Sequence, residues 1–237
     1  MDRRVVLVTG ASRGIGRAAA LELARRDNHV IALARSEKAL TELDDEVRAE
    51  TGASVTIIPL DLRDGPAVDR LAGALLERFG RLDGLLANAG VLGTIGPLET
   101  CSPQSFEETI SVNLTANWRL IRAVHPLLRA SEAGRAVFVT SGVARKTRAF
   151  WGPYAASKAG LDAMIECYAD EVENLGIRVN LYNPGATRTA MRYKAMPGED
   201  QSKLTTPEQA VGPLVDLLSA DCALHGQRLN YADIAGK

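Results

Sequence analysis

The sequence predicts an α/β fold: a single doubly wound parallel sheet with helices on both faces. Two observations predict it. Short aliphatic runs alternate with longer amphipathic segments along the 237 residues, and this alternation is typical of parallel sheets with crossover helices. The short runs are continuously apolar, which indicates strands that are covered on both faces.

The apolar runs predict six strands and a candidate seventh at 228–233. The six are at 5–8, 30–34, 55–60, 84–87, 136–140 and 179–182. The amphipathic segments predict helices at 15–27, 37–51, 65–79, 103–128, 154–175 and 207–218. Helix caps are expected at Ser102 and Thr206, each followed by proline, and Asn28 is expected as a left-handed residue that ends the first helix. Because no linker or repeat interrupts this order, we predict one Rossmann-type dinucleotide-binding and catalytic domain over residues 1–237.

The composition excludes several classes of protein. There are 28 Lys and Arg against 29 Asp and Glu, a formal net charge of −1, so no positive excess would attract nucleic acid. No apolar run approaches the roughly 18 residues of a membrane span, and the first run is too short for a signal peptide. The cysteines and histidines show no metal-ligand or disulfide spacing. We expect a cytoplasmic protein without metal, membrane or nucleic-acid partners.

The first predicted strand runs into a glycine-rich turn, TGASRGIG, at residues 9–16. In such turns Gly10 would allow the tight bend, Gly14 would let the backbone approach a pyrophosphate, and Gly16 would let helix and strand pack closely. The next helix would direct its free N–H groups at the phosphates. A plain surface turn is the alternative, but a position at the first β–α junction favours dinucleotide binding.

Further motifs follow in a fixed order. They are Asp61-Leu62 and Asn88-Ala89-Gly90 after the third and fourth predicted strands, Asn113 in a long helix, Ser141 after the fifth strand, YAASK at 154–158 and NPG at 183–185. Together they resemble the short-chain dehydrogenase/reductase family over essentially the whole chain. The resemblance is greatest to a small group of bacterial members without an assigned substrate. It implies an oxidoreductase that transfers a hydride between a nicotinamide cofactor and a small-molecule carbonyl/alcohol substrate.

Tyr154 and Lys158 lie four residues apart, which places them on one face of a helix. A tyrosine with a pKa of about 10 is a poor acid–base catalyst at neutral pH, and a neighbouring ammonium lowers that pKa. We therefore expect Lys158 to make Tyr154 usable as acid or base. By resemblance, Ser141 orients the substrate oxygen and Asn113 holds a water that links Lys158 to solvent. The complete set favours an enzyme over the alternative, a non-catalytic dinucleotide-binding or sensing protein.

The choice of dinucleotide depends on the end of the second predicted strand. NAD enzymes usually carry an acidic residue there, which binds the ribose 2′-OH, whereas this chain has Ala34 followed by Arg35. Arg13 lies in the glycine-rich turn. Two guanidiniums suit a 2′-phosphate, so we expect NADP(H) rather than NAD(H). The alternative is that either arginine pairs with a surface carboxylate such as Glu37.

The resemblance implies further cofactor contacts at the strand ends. Asp61 would accept a hydrogen bond from the adenine amino group, Asn88 and Gly90 would bring backbone close to the adenine ribose, and the segment after the sixth strand would meet the nicotinamide amide and the pyrophosphate. The expected cofactor-binding residues are Gly10, Ser12, Arg13, Gly14, Ile15, Gly16, Arg35, Asp61, Leu62, Asn88, Ala89, Gly90, Tyr154, Lys158, Pro184, Gly185, Thr187 and Thr189.

Substrate contacts are expected from the loops at 91–95, 142–151 and 190–196, at the carboxyl edge of the sheet. The middle loop carries Arg145, Lys146 and Arg148. These cations suit an anionic substrate, or a carrier-bound one as in a 3-oxoacyl-carrier-protein reductase, but a solvated loop or a subunit contact is the commoner role and the one we expect. The segment 191–206 is a candidate for a mobile lid that closes over the substrate. Oligomers are common among similar proteins, so we also expect a homodimer or homotetramer.

Overall fold

All strands run parallel in one sheet within residues 3–234, the part of the chain that the computed structural model describes. They are β1 (Val5–Thr9), β2 (His29–Ala34), β3 (Thr56–Pro59), β4 (Gly84–Ala87), β5 (Arg135–Val139), β6 (Arg178–Asn183) and β7 (Arg228–Asn230). Their spatial order is β3-β2-β1-β4-β5-β6-β7. The order reverses between β1 and β4, where the carboxyl ends of the strands leave a crevice for ligands. Residues 1, 2 and 235–237 of the predicted domain lie outside the described range.

Helices cover both faces of the sheet, which confirms the doubly wound fold. They are α1 (Gly14–Arg25), α2 (Glu37–Thr51), α3 (Gly65–Phe79), α4 (Pro103–Ile110), α5 (Ala116–Arg129), α6 (Gly152–Val172), α7 (Ala190–Ala195), α8 (Pro207–Asp216) and α9 (Tyr231–Ile234). One core packs α3, α5 and α6 against the sheet. The other packs α1, α2 and α8 against the opposite face.

The predicted helix caps are present, with one shift. The side chains of Ser102 and Thr206 each accept a backbone hydrogen bond at the start of their helices. The left-handed residue after α1 is Asp27, with φ of 58°, and not the expected Asn28. The chain leaves the helix one residue earlier than expected. The Asn28 side-chain amide donates a hydrogen bond of 2.9 Å to the Leu23 carbonyl and so caps the last turn of α1 from outside the helix.

Two predicted elements differ in the structure. The helix expected at 103–128 is interrupted by a π-helical turn at Ser111–Thr115, and such turns are frequent at functional sites. The strand expected at 228–233 ends at Asn230. The chain enters a helix there because the Asn230 side-chain amide donates 2.7 Å to Asp233 across the first helical turn.

The continuous apolar runs are buried, as a sheet covered on both faces requires. Tyr182, on β6, is fully buried among them, and its hydroxyl donates 2.7 Å to the carbonyl of Ala210 on α8. A buried hydroxyl needs such a partner, so this bond ties the helix to the sheet. None of the helices within residues 3–234 combines the length and the apolar composition that crossing a membrane requires.

Candidate active site

A cavity of about 310 Å³ opens at the carboxyl edge of the sheet. Every expected cofactor-binding residue except Gly16 lines it, and so do Ser141, Tyr154 and Lys158. Gly16 and Asn113 are not among the residues that line the cavity. The cavity therefore gathers residues that lie between Gly10 and Ala195 and are far apart in the sequence. They meet because parallel strands end at the same edge of the sheet.

Backbone geometry explains the glycines of the turn. Gly10 and Gly14 have φ of +68° and +56°, the left-handed region that side chains disfavour. A Cβ at Gly16 would lie 2.3 Å from the carbonyl oxygen of Gly10. The glycine-rich loop thus packs directly against the first turn of α1, and this contact leaves no space for a side chain at position 16.

Thr9 and Asn88 fasten the turn to β4. The Thr9 hydroxyl accepts the backbone N–H groups of Asn88 at 3.0 Å and of Ala89 at 3.1 Å. The Asn88 side-chain amide donates 3.0 Å to the Thr9 carbonyl. Asn88 therefore shapes the cavity through its side chain while its backbone remains at the wall. The role of Thr9 was missed because a strand-end threonine carries no sequence signal of its own.

Positive charge gathers at one end of the cavity. The exposed side chains of Arg13 and Arg35 both line it. Among residues 3–234 neither forms an ion pair, so the alternative pairing with Glu37 is not seen. Ala34, at the end of β2, places no carboxylate beside them. Both guanidiniums are thus available to an anion.

Asp61 is held by an arginine that the sequence did not single out. The Arg63 guanidinium donates 2.6 Å and 3.0 Å to one Asp61 oxygen and 3.1 Å to the other. These bonds are the largest cause of an Asp61 pKa below its usual range, and the charge of Arg35 adds to the effect. Asp61 is thus an oriented carboxylate at the cavity wall.

The tyrosine and lysine lie side by side on α6, at the inner end of the cavity. Tyr154 is 9% exposed and packs edge-on against Trp151, with 6.0 Å between ring centroids. Lys158 is 3% exposed, and its ammonium donates 2.8 Å to the carbonyl of Val139 at the end of β5. Burial lowers the pKa of Lys158 to about 8, and the Asp162 carboxylate opposes part of that shift.

The pKa of Tyr154 departs from the expectation. The sequence predicts that Lys158 lowers it, whereas burial raises the pKa of Tyr154 to about 12 and a hydrogen bond with Ser141 offsets only part of the rise. The reason is that the phenolate loses its hydration at this depth. Tyr154 therefore holds its proton firmly at neutral pH.

Asn113 lies in the π-helical turn and is fully buried. Its side-chain oxygen accepts the Val91 N–H at 2.8 Å, and its amide donates 2.9 Å to the Val91 carbonyl and 2.9 Å to the Ser157 hydroxyl. It thereby fixes the loop after β4 against α6. The water link to Lys158 stays a prediction.

A buried ion pair behind the cavity was also missed. Asp162, one turn after Lys158 and 2% exposed, accepts the Thr140 hydroxyl and, at 3.0 Å, the Nε of Arg228. Arg228 also donates 2.9 Å to the Ser141 carbonyl. This network joins α6, β5 and β7 and holds the backbone of Ser141. A helical aspartate four residues after a lysine resembles an ordinary surface pair, so only the fold shows that it is buried.

The sequence model of the short chain dehydrogenase family matches residues 4–200. The chain belongs to this family. The protein named "Uncharacterized oxidoreductase YciK" of Escherichia coli K12 is 44% identical over 209 residues, which cover 87% of this chain and 82% of that protein.

Solved structures of short chain dehydrogenases superimpose closely on this family member. One from Escherichia coli CFT073, in complex with NADPH, has a TM-score of 0.93 and 40% identity and covers 98% of this chain and 97% of that chain. One from Shigella flexneri 2a, in complex with NADP, has a TM-score of 0.94 and 39% identity and covers 98% of each chain.

The contact at Gly16 yields a prediction. Gly16→Ala forces a methyl against the Gly10 carbonyl and should destabilise the protein by about 1–3 kcal/mol, with weaker NADPH binding. The matched control is Gly73→Ala in α3, where an added Cβ meets nothing within 4 Å; it should stabilise the helix by about 0.5–1 kcal/mol. Urea unfolding and NADPH fluorescence titration measure both effects. Equal stability of the two variants would contradict the close-packing role.

Proposed function

We propose that the protein is an NADP(H)-dependent oxidoreductase that transfers a hydride between the nicotinamide and a carbonyl/alcohol substrate, with Tyr154 as the acid or base. One observation carries the proposal. Tyr154, Lys158 and Ser141 line the same cavity as the glycine-rich turn and the unpaired arginines. A single cavity thus offers a cradle for phosphates and a proton donor.

The cavity residues fit a dinucleotide that bears a 2′-phosphate. Arg13 and Arg35 would hold that phosphate by charge-assisted hydrogen bonds, and the N–H groups at the start of α1 would hold the pyrophosphate. Asp61 would accept the adenine amino group. Two similar structures were solved with NADPH and NADP, which supports the same choice here. When bound, the nicotinamide supplies or accepts the hydride.

The chain's own residues position the substrate and move a proton. Ser141 donates a hydrogen bond to the substrate oxygen and orients the carbonyl. Tyr154, protonated at neutral pH because its pKa is about 12, gives its proton to that oxygen during reduction. In the reverse direction Tyr154 must first lose its proton before it can accept one from the substrate alcohol.

The alternative, a non-catalytic dinucleotide-binding protein, receives less support. Strongly shifted pKa values cluster at functional sites, and both Tyr154 and Lys158 have shifted values at the inner end of the cavity. A protein that only binds the cofactor has no need for a buried lysine, because burying an ammonium costs free energy.

Removal of the tyrosine hydroxyl should abolish proton transfer. We expect Tyr154→Phe to lower kcat by about 10²–10⁴-fold, the usual contribution of general acid–base catalysis. The assay follows NADPH oxidation with a panel of aldehydes, ketones and 1,2-diketones. Tyr193→Phe serves as the control, because this tyrosine is 60% exposed and is not among the residues that line the cavity. Full turnover by Tyr154→Phe would refute its assignment as the acid.

The pH dependence of kcat/KM should reflect the ionisation of the Lys158 ammonium. Its ammonium is charged below its pKa of about 8, so kcat/KM for carbonyl reduction should be constant near neutral pH and fall above about pH 8. In Lys158→Arg the residual activity should lose this alkaline decline, since a guanidinium stays charged throughout. An unchanged decline in that variant would assign it to another group.

Arg35 should discriminate between the two dinucleotides. Arg35→Ala removes a charged partner of the 2′-phosphate, worth about 1.5–3 kcal/mol, so KM for NADPH should rise roughly 10- to 150-fold with little change for NADH. Lys38→Ala, an exposed cation on α2, is the matched control. A wild-type preference for NADH, or equal effects on both cofactors, would contradict the proposed specificity.

A further inference from the structure

A second cavity adjoins the candidate active site at the end away from Arg13 and Arg35. Both cavities share five lining residues: Ser141, Trp151, Asn183, Gly185 and Arg192. The second cavity therefore begins at the serine that orients the substrate oxygen, and it continues between the loop after β5 and the start of α7. A substrate group attached to the reacting carbonyl has direct access to it.

Three cations line this second cavity: Lys146, Arg148 and Arg192. Within the described residues no acidic side chain lines it. We call these three side chains and the space between them the cation pocket. Val143, Trp151 and Ala186 complete the lining, so the second cavity offers a ligand both cationic groups and apolar contacts.

The three cations of the loop after β5 differ in their contacts. Arg145 turns away and pairs with Glu166 and, at 3.5 Å, with Asp162. Lys146 and Arg148 have no carboxylate partner within 4.0 Å among residues 3–234 and line the cavity instead. All three side chains are exposed, as the sequence predicts for a solvated loop. Arg145 is the paired one of the three, whereas Lys146 and Arg148 line the second cavity.

Arg192 is held in place by a single carboxylate. Its Nε and Nη2 atoms donate 2.6 Å and 2.5 Å to the two oxygens of Glu199, and both side chains are largely covered, with 20% and 27% exposed. The pair uses one edge of the guanidinium and leaves Nη1 for a second acceptor. One anion against three cations leaves the cation pocket with a net charge of +2.

We propose that the cation pocket binds an anionic group, a carboxylate or a phosphate monoester, of the carbonyl or alcohol substrate. The inference rests on the proposed function and names the substrate class of the same site. An anion placed there would receive charge-assisted hydrogen bonds, while the attached carbonyl lies at Ser141 and Tyr154. The cofactor's own phosphates belong at the opposite end, beside Arg13 and Arg35.

The test uses matched aldehydes that differ only in charge. The probes are para-carboxybenzaldehyde, para-formylphenyl phosphate and the neutral methyl para-formylbenzoate, each reduced with NADPH. Wild-type kcat/KM should favour an anionic probe over the ester by about tenfold or more, and added salt should reduce this preference. The more active of the two anionic probes distinguishes carboxylate from phosphate.

The variants separate the cation pocket from general effects. Lys146→Met combined with Arg148→Met should remove the preference by raising KM for the anionic probes, with the ester unchanged. Lys194→Met, an exposed cation on α7 outside both cavities, should retain the preference. Glu199→Gln should act in the opposite sense and improve kcat/KM for the anionic probes about two- to fivefold.

A binding measurement separates the two proposals. Terephthalate should bind the wild-type protein in calorimetric titration and should not bind the double variant, whether or not any aldehyde is reduced. Equal kcat/KM for acid and ester in the wild type and the double variant, with no terephthalate binding, would overturn the cation pocket and leave the proposed function intact. Terephthalate binding without reduction of any aldehyde would refute the proposed function and retain the cation pocket.

Discussion

A positive charge buried at Lys158 is the constraint on which the rest of the site depends. An ammonium remains inside a protein only where fixed polar groups replace its water. The Val139 carbonyl accepts it at 2.8 Å, and the Asp162 carboxylate raises its pKa against the effect of burial. Asp162 is held by Arg228, which also binds the backbone of Ser141. Stabilising one charge thus fixes the relative positions of α6, β5 and β7.

The parallel sheet extends this local arrangement into two adjoining cavities, each with cations at its outer end. All strands end at the same edge, so the glycine-rich turn, the catalytic candidates and the loop after β6 meet although they are far apart in sequence. Arg13 and Arg35 lie at one end, and the cation pocket lies at the other. The near-zero net charge of the chain conceals this distribution. A substrate and a cofactor that both carry anions would approach from opposite ends, with the reacting atoms between them.

Much of this arrangement could be predicted from the sequence. Glycine spacing and apolar runs reflect the local requirements of tight turns and buried strands, and these requirements are visible in a single sequence. The doubly wound parallel sheet, the residues that line the cavity and the position of Arg13 and Arg35 beside it are of this kind. Contacts and burial that depend on the path of the folded backbone were beyond prediction. The clamp of Arg63 on Asp61 and the burial of Asp162 need the folded chain. The pKa of Tyr154 was predicted in the wrong direction, because a charge at close spacing is visible in a sequence whereas the depth of burial is not.

Transfer of deuterium tests the central claim most directly. The protein is supplied with NADPH deuterated at C4 on one face or the other, together with para-carboxybenzaldehyde or its methyl ester, and the alcohol is examined by mass spectrometry and NMR. Hydride transfer beside Tyr154 predicts one deuterium on the carbinol carbon from only one of the two labelled cofactors, and loss of that product in Tyr154→Phe. Alcohol without deuterium from either label, or equal labelling from both, would contradict a single oriented cofactor site.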